Sequence, residues 1–319
     1  MLSNISQAIR QQLQFPEHDQ LILDGKLFPI DKNKFNPILA TTNFSANTST
    51  FIDGGQAEIL SAGNFCLSFI RIVAQTFSGR TKKGYQKQEF YLFTKAIWKN
   101  EEIFYESTFF PLDNQPLIAG GDLFISSMDL SIKTGIERAP ITRIANMARR
   151  LAELHLAAQI NTDFTILDGT LEATFSGEEH YLARIKETAC ALAKTSALFT
   201  TSGNNPTVLL RKLSPSGCWQ YDVDNKTSFV KLHPQAKHIF RFQRNSEGDN
   251  RILALLAAQS DDALFLGYPY GLILADQLAR VSNAERQALR MNFLLRKENR
   301  EVVEYLNATN AHDILDNLG

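Results

Sequence analysis

The sequence predicts an α/β fold: one mixed sheet, an antiparallel meander followed by α/β units, flanked by helices. Three observations predict it. FCLSFIRIVAQTF (65–77), QEFYLFTKAIW (88–98) and EIFYESTFF (102–110) are rich in aromatic and β-branched residues and are joined by short polar loops, as in a meander. ITRIANMARRLAELHLAAQI (141–160) then changes period, with Ile141, Ile144, Ala148, Leu151 and His155 along one helical face. Shorter strand-like and helix-like runs alternate after it. Meander, helix, strand, helix, strand and closing helices is the ribonuclease H-like order.

Each element has a local reason. Ile5, Ile9 and Leu13 recur every four residues, which predicts a helix over 2–14. Residues 15–48 are polar and irregular, with Pro16, Pro29 and Pro37. TSTFIDGGQAEIL (48–60) predicts a strand, a glycine turn and a second extended stretch. FTILDGTL (164–171) predicts a short strand ending at a glycine turn; 178–199 reads as helix and TVLLRKL (207–213) as strand. Residues 218–243 read as strands and loops, 251–259 as a short helix and ALFLGYP (263–269) as a strand. Helices are predicted over 272–281, 284–298 and 299–317. The expectation is a single domain over 1–319, its core about 49–282, with 2–14 and 284–317 as additions.

Composition excludes several classes. With 319 residues, 44% hydrophobic and 21% charged, the chain can bury a full core without disulfides or a structural metal. Cys66, Cys190 and Cys218 are odd in number and far apart, which argues against a disulfide framework or zinc ribbon. No apolar run is long enough to span a bilayer and the N-terminal stretch has no secretion core, so a cytoplasmic protein is expected. The net charge of −1 means that any nucleic-acid contact must come from local basic patches.

Two carboxylates stand out. Asp53, in FIDGG, and Asp168, in ILDGT, each follow an apolar run and precede a glycine. A strand end is where a rigid sheet delivers a side chain to an open surface, and the glycine leaves room beside it. Asp-Gly is equally a common turn dipeptide. Glu153 lies on the helix before the Asp168 strand, off its apolar stripe; its plain alternative is a solvated pair with Arg149 or Arg150. Asp276 follows GYPYG, where an acid also compensates a helix dipole. As a set, these acids suit phosphodiester hydrolysis, in which two divalent ions activate water and stabilise the leaving oxygen. Oxygen ligands favour Mg²⁺ or Mn²⁺.

Three segments in order resemble the NurA nuclease family: TSTFIDGGQAEIL, RRLAELHLAAQINTDFTILDGTL and LFLGYPYGLILADQLARVS, with AKTS at 193–196 as a further similar element. Together they span about 50–282. The resemblance implies that Asp53, Glu153 and Asp168 bind metal and that Tyr268 takes the position of the family's active-site tyrosine. Asp276 takes a position where other members carry histidine; a carboxylate there can ligate a hard ion but cannot act as an imidazolium. The resemblance also implies Mn²⁺ (or Mg²⁺) dependence and 5′–3′ exonuclease and single-strand endonuclease activity. It further implies a homodimer on a HerA-type hexameric ATPase, acting in DNA end resection and double-strand break repair. Through it, Lys194 becomes a candidate for holding the scissile phosphate; otherwise Lys194 compensates a helix C-terminus.

Basic residues lie in two further places. RTKKGYQK (80–87), on a predicted loop, carries Arg80, Lys82 and Lys83, which suit either a phosphate clamp or a charged hairpin tip guarding a sheet edge. Asn225–Ser246 contains Lys231 and Arg241 and no acid, and is the better electrostatic candidate. No Walker-type loop is present, so the chain is not expected to be its own motor. The alternatives to a nuclease are a catalytically impaired nucleic-acid-binding or assembly subunit on the same fold, and an actin-like phosphotransferase. The latter begins with a similar Asp-Gly strand but needs an internal duplication that the sequence lacks.

Overall fold

An amphipathic helix, α1 (Leu2–Gln12), opens the chain as its four-residue spacing predicts, and its apolar residues Leu2, Ile5 and Ile9 are exposed. The computed structural model describes residues 2–13, 16, 18–39, 47–112, 118, 120–194, 198–246 and 251–309. A small ribbon follows, β1 (Gln20–Leu23) and β2 (Lys26–Pro29), turning at Asp24 and Gly25, both with positive φ. After β3 (Phe35–Pro37) comes the meander: β4 (Thr48–Ala62), β5 (Phe65–Ser78), β6 (Thr81–Lys99), β7 (Glu102–Pro111) and the short β8 (Ile125–Ser126). The second half comprises α2 (Arg143–Gln159), β9 (Phe164–Asp168), α3 (Glu178–Leu182), β10 (Ala189–Ala193), α4 (Pro206–Leu213), β11 (Trp219–Asp222), β12 (Thr227–Lys231), β13 (Phe240–Arg244), α5 (Arg251–Ala258), α6 (Tyr270–Ala279), α7 (Asn283–Leu294) and α8 (Arg300–Thr309).

Eleven strands form one sheet in the order β3-β11-β12-β13-β10-β9-β4-β5-β6-β7-β8. The pairs β4–β9 and β9–β10 are parallel and the remaining neighbours are antiparallel. The central run β6-β5-β4-β9-β10 is the expected ribonuclease H-like core. Helix α2 covers one face, where Ile144, Ala148 and Leu151 pack on Ile52, Ile72 and Leu167. Helices α5 and α6 cover the other, where Leu256, Leu272 and Ala275 pack on Phe51, Phe164 and Ile166. Helices α7 and α8 close the far end of β4 and β5 through Leu289, Phe293 and Leu306. No helix among the described residues is long and apolar enough to cross a membrane.

The structure corrects the expected elements where local pattern was ambiguous. β4 does not turn at Gly54 and Gly55; it runs straight through them. Both glycines are used for close approach instead. A methyl group on Gly55 would overlap the Ala279 carbonyl of α6, and one on Gly54 would overlap the Glu153 carboxylate. Residues 81–87, expected as a loop, belong to β6 and pair with β5. β7 reaches only to Phe90, so among the described residues this lysine-rich stretch is a free edge, which charge protects from further pairing. The expected helix over 178–199 is the short α3 followed by β10, whose ACALA is buried throughout. A central strand covered on both faces loses its alternation and reads like a helix.

The expected strand at 207–213 is α4. Asn205 caps it, its side chain accepting from the Thr207 N–H at 2.9 Å, and Pro206 occupies the first turn. Residues 263–269 form turns rather than a strand: Asp262 accepts from the Leu264 N–H at 2.8 Å and Gly267 has a φ of 94°. The last helix ends at Thr309; the remainder of its expected range, 310–317, lies outside the described residues.

The seat of α6 on β4 depends on absent side chains, which gives a stability prediction. Gly55→Ala should destabilise the protein by about 1–3 kcal/mol through overpacking against Ala279. Gly63→Ala, where a methyl group meets nothing within 4 Å, should stay within about 0.5 kcal/mol of the parent. Urea denaturation of both variants measures the difference.

Candidate active site

The parallel register of β4 and β9 builds the site. Ile52 lies opposite Leu167, and the next residue on each strand is an aspartate, Asp53 and Asp168. Phe51 and Ile166, two residues earlier, pack beneath α6, so strand alternation points both carboxylates to that face. Adjacent strands are ~4.8 Å apart, which brings the two acids side by side. β9 then ends: Gly169, with a φ of 113°, turns the chain away. β4 continues alone on that side and leaves an opening. Asp53 is therefore in mid-strand, not at the strand end that its Asp-Gly motif suggested; the end that matters belongs to β9.

Helix α6 brings the third acid. It starts after Pro269 and lies on β4, with Gly271 against the Phe51 ring. Asp276 follows Leu272 by one turn and projects over the two aspartates. It sits in the second half of the helix, so N-terminal dipole compensation does not account for it. Asp53, Asp168 and Asp276 each offer an oxygen within 4.8 Å of the others. They grade from floor to rim: Asp53 is buried, while the Asp168 and Asp276 side chains are 17% and 32% exposed.

Cations and a phenol hold this group together. Lys194, just past β10, places Nζ 2.6 Å from Asp168 Oδ2 and 3.5 Å from Asp276 Oδ1. Its neighbours Thr195 and Ser196 lie outside the described residues. Tyr268 is buried and donates its hydroxyl to Asp168 Oδ1 at 3.1 Å. Arg280, one turn after Asp276, bonds its Oδ2 at 2.9 Å.

Glu153 is placed differently. It is buried on α2 and approaches β4 over Gly54, outside the three converging aspartates. Its Oε1 accepts a hydrogen bond from Arg149 Nη1, and Arg150 Nη1 lies 4.0 Å from Oε2. The pairing with Arg149 weighed from helical spacing is present, but on a buried carboxylate rather than a solvated one.

Sequence reasoning missed a supporting layer. Arg150 pairs with the buried Glu178 at 2.7 Å and also bonds the Thr170 carbonyl. Glu178 in turn accepts from the Thr174 and Phe175 N–H groups at 2.7 and 3.0 Å. The loop that leaves Asp168 is thus tied to α2. The signal was Arg150 itself, which helical spacing offered only as a partner for Glu153.

The basic candidates are scattered. Arg80 bonds the Ala258 carbonyl and lies 3.3 Å from Asp261. Lys82 and Lys83 are exposed on the free edge of β6, two strands from β4. Lys231 ends β12, four strands or ~19 Å from β4. Arg241 is 5% exposed and its guanidinium is taken up by Glu172, so it is not a surface phosphate clamp. Of the basic positions singled out in the sequence, Lys194 is the one that the structure brings to the aspartates.

The electrostatics follow from burial and crowding. Burial, then Asp168 and Glu153, push the Asp53 carboxyl up to about 8. Burial also raises Glu153, against the pull of Arg149 and Arg150. Burial and the nearby Asp168 and Asp53 raise the Tyr268 phenol well above its usual range, so it stays a donor. Burial opposes the charge on Lys194, but Asp168 and Asp276 outweigh it and keep the amine protonated. Three carboxylates with oxygen donors alone fit a hard divalent ion such as Mg²⁺ or Mn²⁺, whose charge relieves their repulsion.

The fold recurs in a solved structure, and two others are more distantly similar. The NurA nuclease from Sulfolobus solfataricus is 12% identical, with 90% of each chain covered and a TM-score of 0.50. Endonuclease V from Ciona intestinalis, in complex with DNA, is 10% identical over 78% of this chain and 91% of its own, with a TM-score of 0.39. Argonaute from Marinitoga piezophila is 9% identical over 75% of this chain and 30% of its own, at 0.34. No family model and no curated protein sequence matches the chain.

The raised Asp53 carboxyl sets a pH dependence. Its folded pKa of about 8 exceeds the ordinary 3.8, so it contributes stability fully present below about pH 4 and lost as pH rises through 8. Metal-free Asp53→Asn should therefore be more stable than wild type at about pH 8, and the gap should shrink towards pH 5. A divalent ion favours the ionised form, so millimolar Mg²⁺ or Mn²⁺ should stabilise wild type more at the higher pH. Thermal melts across pH, with and without metal, read both effects.

Proposed function

We propose that this chain is a divalent-metal-dependent nuclease that hydrolyses phosphodiester bonds of DNA at Asp53, Asp168 and Asp276. The observation that carries the reading is the convergence of these carboxylates where β9 ends. The fold shared with a nuclease supports it. A carboxylate trio with Lys194 at its edge suits a phosphodiester better than a neutral substrate, because both an ion and an ammonium face the anion.

In this reading Asp53, Asp168 and Asp276 hold the metal. When bound, the metal supplies a polarised phosphoryl oxygen and an acidified water. Tyr268 fixes the orientation of Asp168 through its hydroxyl. Lys194, whose ammonium bonds Asp168, would be placed to donate to a phosphate oxygen of the substrate. Arg280 holds Asp276 at the rim. Glu178 and Arg150 brace the loop after Asp168.

The finer reading follows the family resemblance: Mn²⁺ preferred to Mg²⁺, 5′–3′ exonuclease and single-strand endonuclease activity, and a cytoplasmic homodimer working with a HerA-type translocase in end resection. The 1–319 chain acts as a single domain in it. The competing reading, an inactive binding or assembly subunit, draws on Asp276 standing where the family carries histidine.

Cleavage of end-labelled single- and double-stranded linear DNA with Mn²⁺, Mg²⁺ or EDTA tests the proposal. Metal-dependent cleavage should fall at least about 100-fold in Asp53→Asn and Asp168→Asn, as expected for groups that hold the metal. Lys194→Met should lower cleavage by about 10²-fold while tightening metal binding, because an ammonium no longer competes for Asp168. Metal binding without cleavage, alone and with the ATPase, would favour the inactive subunit.

A further inference from the structure

We propose that Arg149 is a built-in cation that withholds Glu153 from the metal, so that the protein binds one divalent ion rather than the two expected from the reaction chemistry. The inference rests on the metal-dependent reading above and specifies its ion count and the residue that sets it.

The geometry carries it. Arg149 stands one helical turn before Glu153 on α2. Its Nη1 bonds Glu153 Oε1 and also reaches the Gly54 carbonyl at 3.4 Å, so it bridges helix to strand beside Asp53. The second carboxylate oxygen faces Arg150, 4.0 Å away. Both oxygens of Glu153 are therefore turned towards guanidinium groups. The pair is also wedged: a methyl group on Gly54 would overlap Glu153 Oε1, Ile72 Cδ1 and Arg149 Cγ together. The Glu153 side chain is 3% exposed and that of Arg149 29%, so the carboxylate has little space into which to swing.

The chemistry of arginine makes the arrangement fixed. A guanidinium stays protonated at any working pH, unlike a lysine or histidine that a metal could displace by deprotonation. Pulling Glu153 onto a metal would strand the Arg149 charge beside the buried pair, and breaking such pairs is costly. Charge balance points the same way. Asp53, Glu153, Asp168 and Asp276 face Arg149, Lys194 and Arg280, while Arg150 is engaged by Glu178. One divalent ion leaves the group with a single positive charge, which one phosphodiester neutralises. A second would leave it three charges positive. Arg149 thus acts as a positioning residue: it supplies on the α2 side the charge that a second ion would otherwise bring.

Equilibrium titration with Mn²⁺ alone, free ion read by electron paramagnetic resonance, tests this without cleavage. Wild type should bind one ion per chain at the site, lost in Asp168→Asn. Arg149→Met should bind a second ion, lost again when Glu153→Gln is added. Glu153→Gln alone should keep one ion with affinity within about threefold of wild type, whereas loss of a true ligand costs at least about 10–100-fold. If Arg149→Met fails to fold, the Glu153→Gln comparison decides. Two ions on wild type, an Arg149→Met protein that still binds one, or a tenfold weakening in Glu153→Gln would each overturn the inference alone. No Mn²⁺ on wild type would overturn it together with the metal-dependent reading.

Discussion

Like charges held close in a partly buried cleft are the constraint around which this structure is organised. Asp53 and Asp168 are neighbours on parallel strands because Ile52 and Leu167 are in register. Neither can move away without sliding a strand that is buried on both faces. Their repulsion, with Asp276 above them, must be met by cations, by hydrogen bonds or by a retained proton. All three appear. Lys194 and Tyr268 share Asp168, Arg280 takes Asp276, and the most buried member, Asp53, is the one that keeps a proton near neutrality.

The rest of the architecture serves to bring helices close enough for that arrangement. α6 can lie directly on β4 because Gly55 and Gly271 have no side chains at the contact. α2 reaches the opposite face because Gly54 leaves room for Glu153 and Arg149. Adjacent glycines in an extended strand weaken the strand itself, since they contribute no packing surface. Here the loss is offset by the long meander, in which β4, β5 and β6 pair along most of their length. A site of high internal stress is thus set at the most heavily supported position of the sheet.

Two kinds of ion pair should be distinguished. Arg150–Glu178 is buried and structural, a brace for the loop that leaves Asp168. Lys194–Asp168 borders the cleft and competes with whatever cation occupies it, while Arg149–Glu153 stands beside it on the α2 side, its carboxylate buried. The difference lies in exposure: the Arg149 and Lys194 side chains keep 29% and 40% of their surface in solvent, against 9% for Arg150. The Lys194 pair, partly exposed on both sides, can be exchanged for an ion or a phosphate without disturbing the core, whereas the Arg149 pair is anchored by its buried carboxylate.

The sequence by itself determined the meander, α2 and the two Asp-Gly strands, because alternation, helical period and the apolar run before each aspartate are local properties. It misassigned α4 as a strand and β10 as part of a helix, since a short apolar run has the same pattern in a capped helix and in a doubly covered strand. It could not decide which acids meet. Asp276 joins Asp53 and Asp168, separated from them by more than a hundred residues, only because glycines let α6 settle on β4. Glu153 is held apart, and Arg241 is drawn into a pair with Glu172, by neighbours that no local spacing encodes. Chain periodicity specifies which face a side chain takes; register and close helix approach specify what it meets there, and those are long-range packing facts.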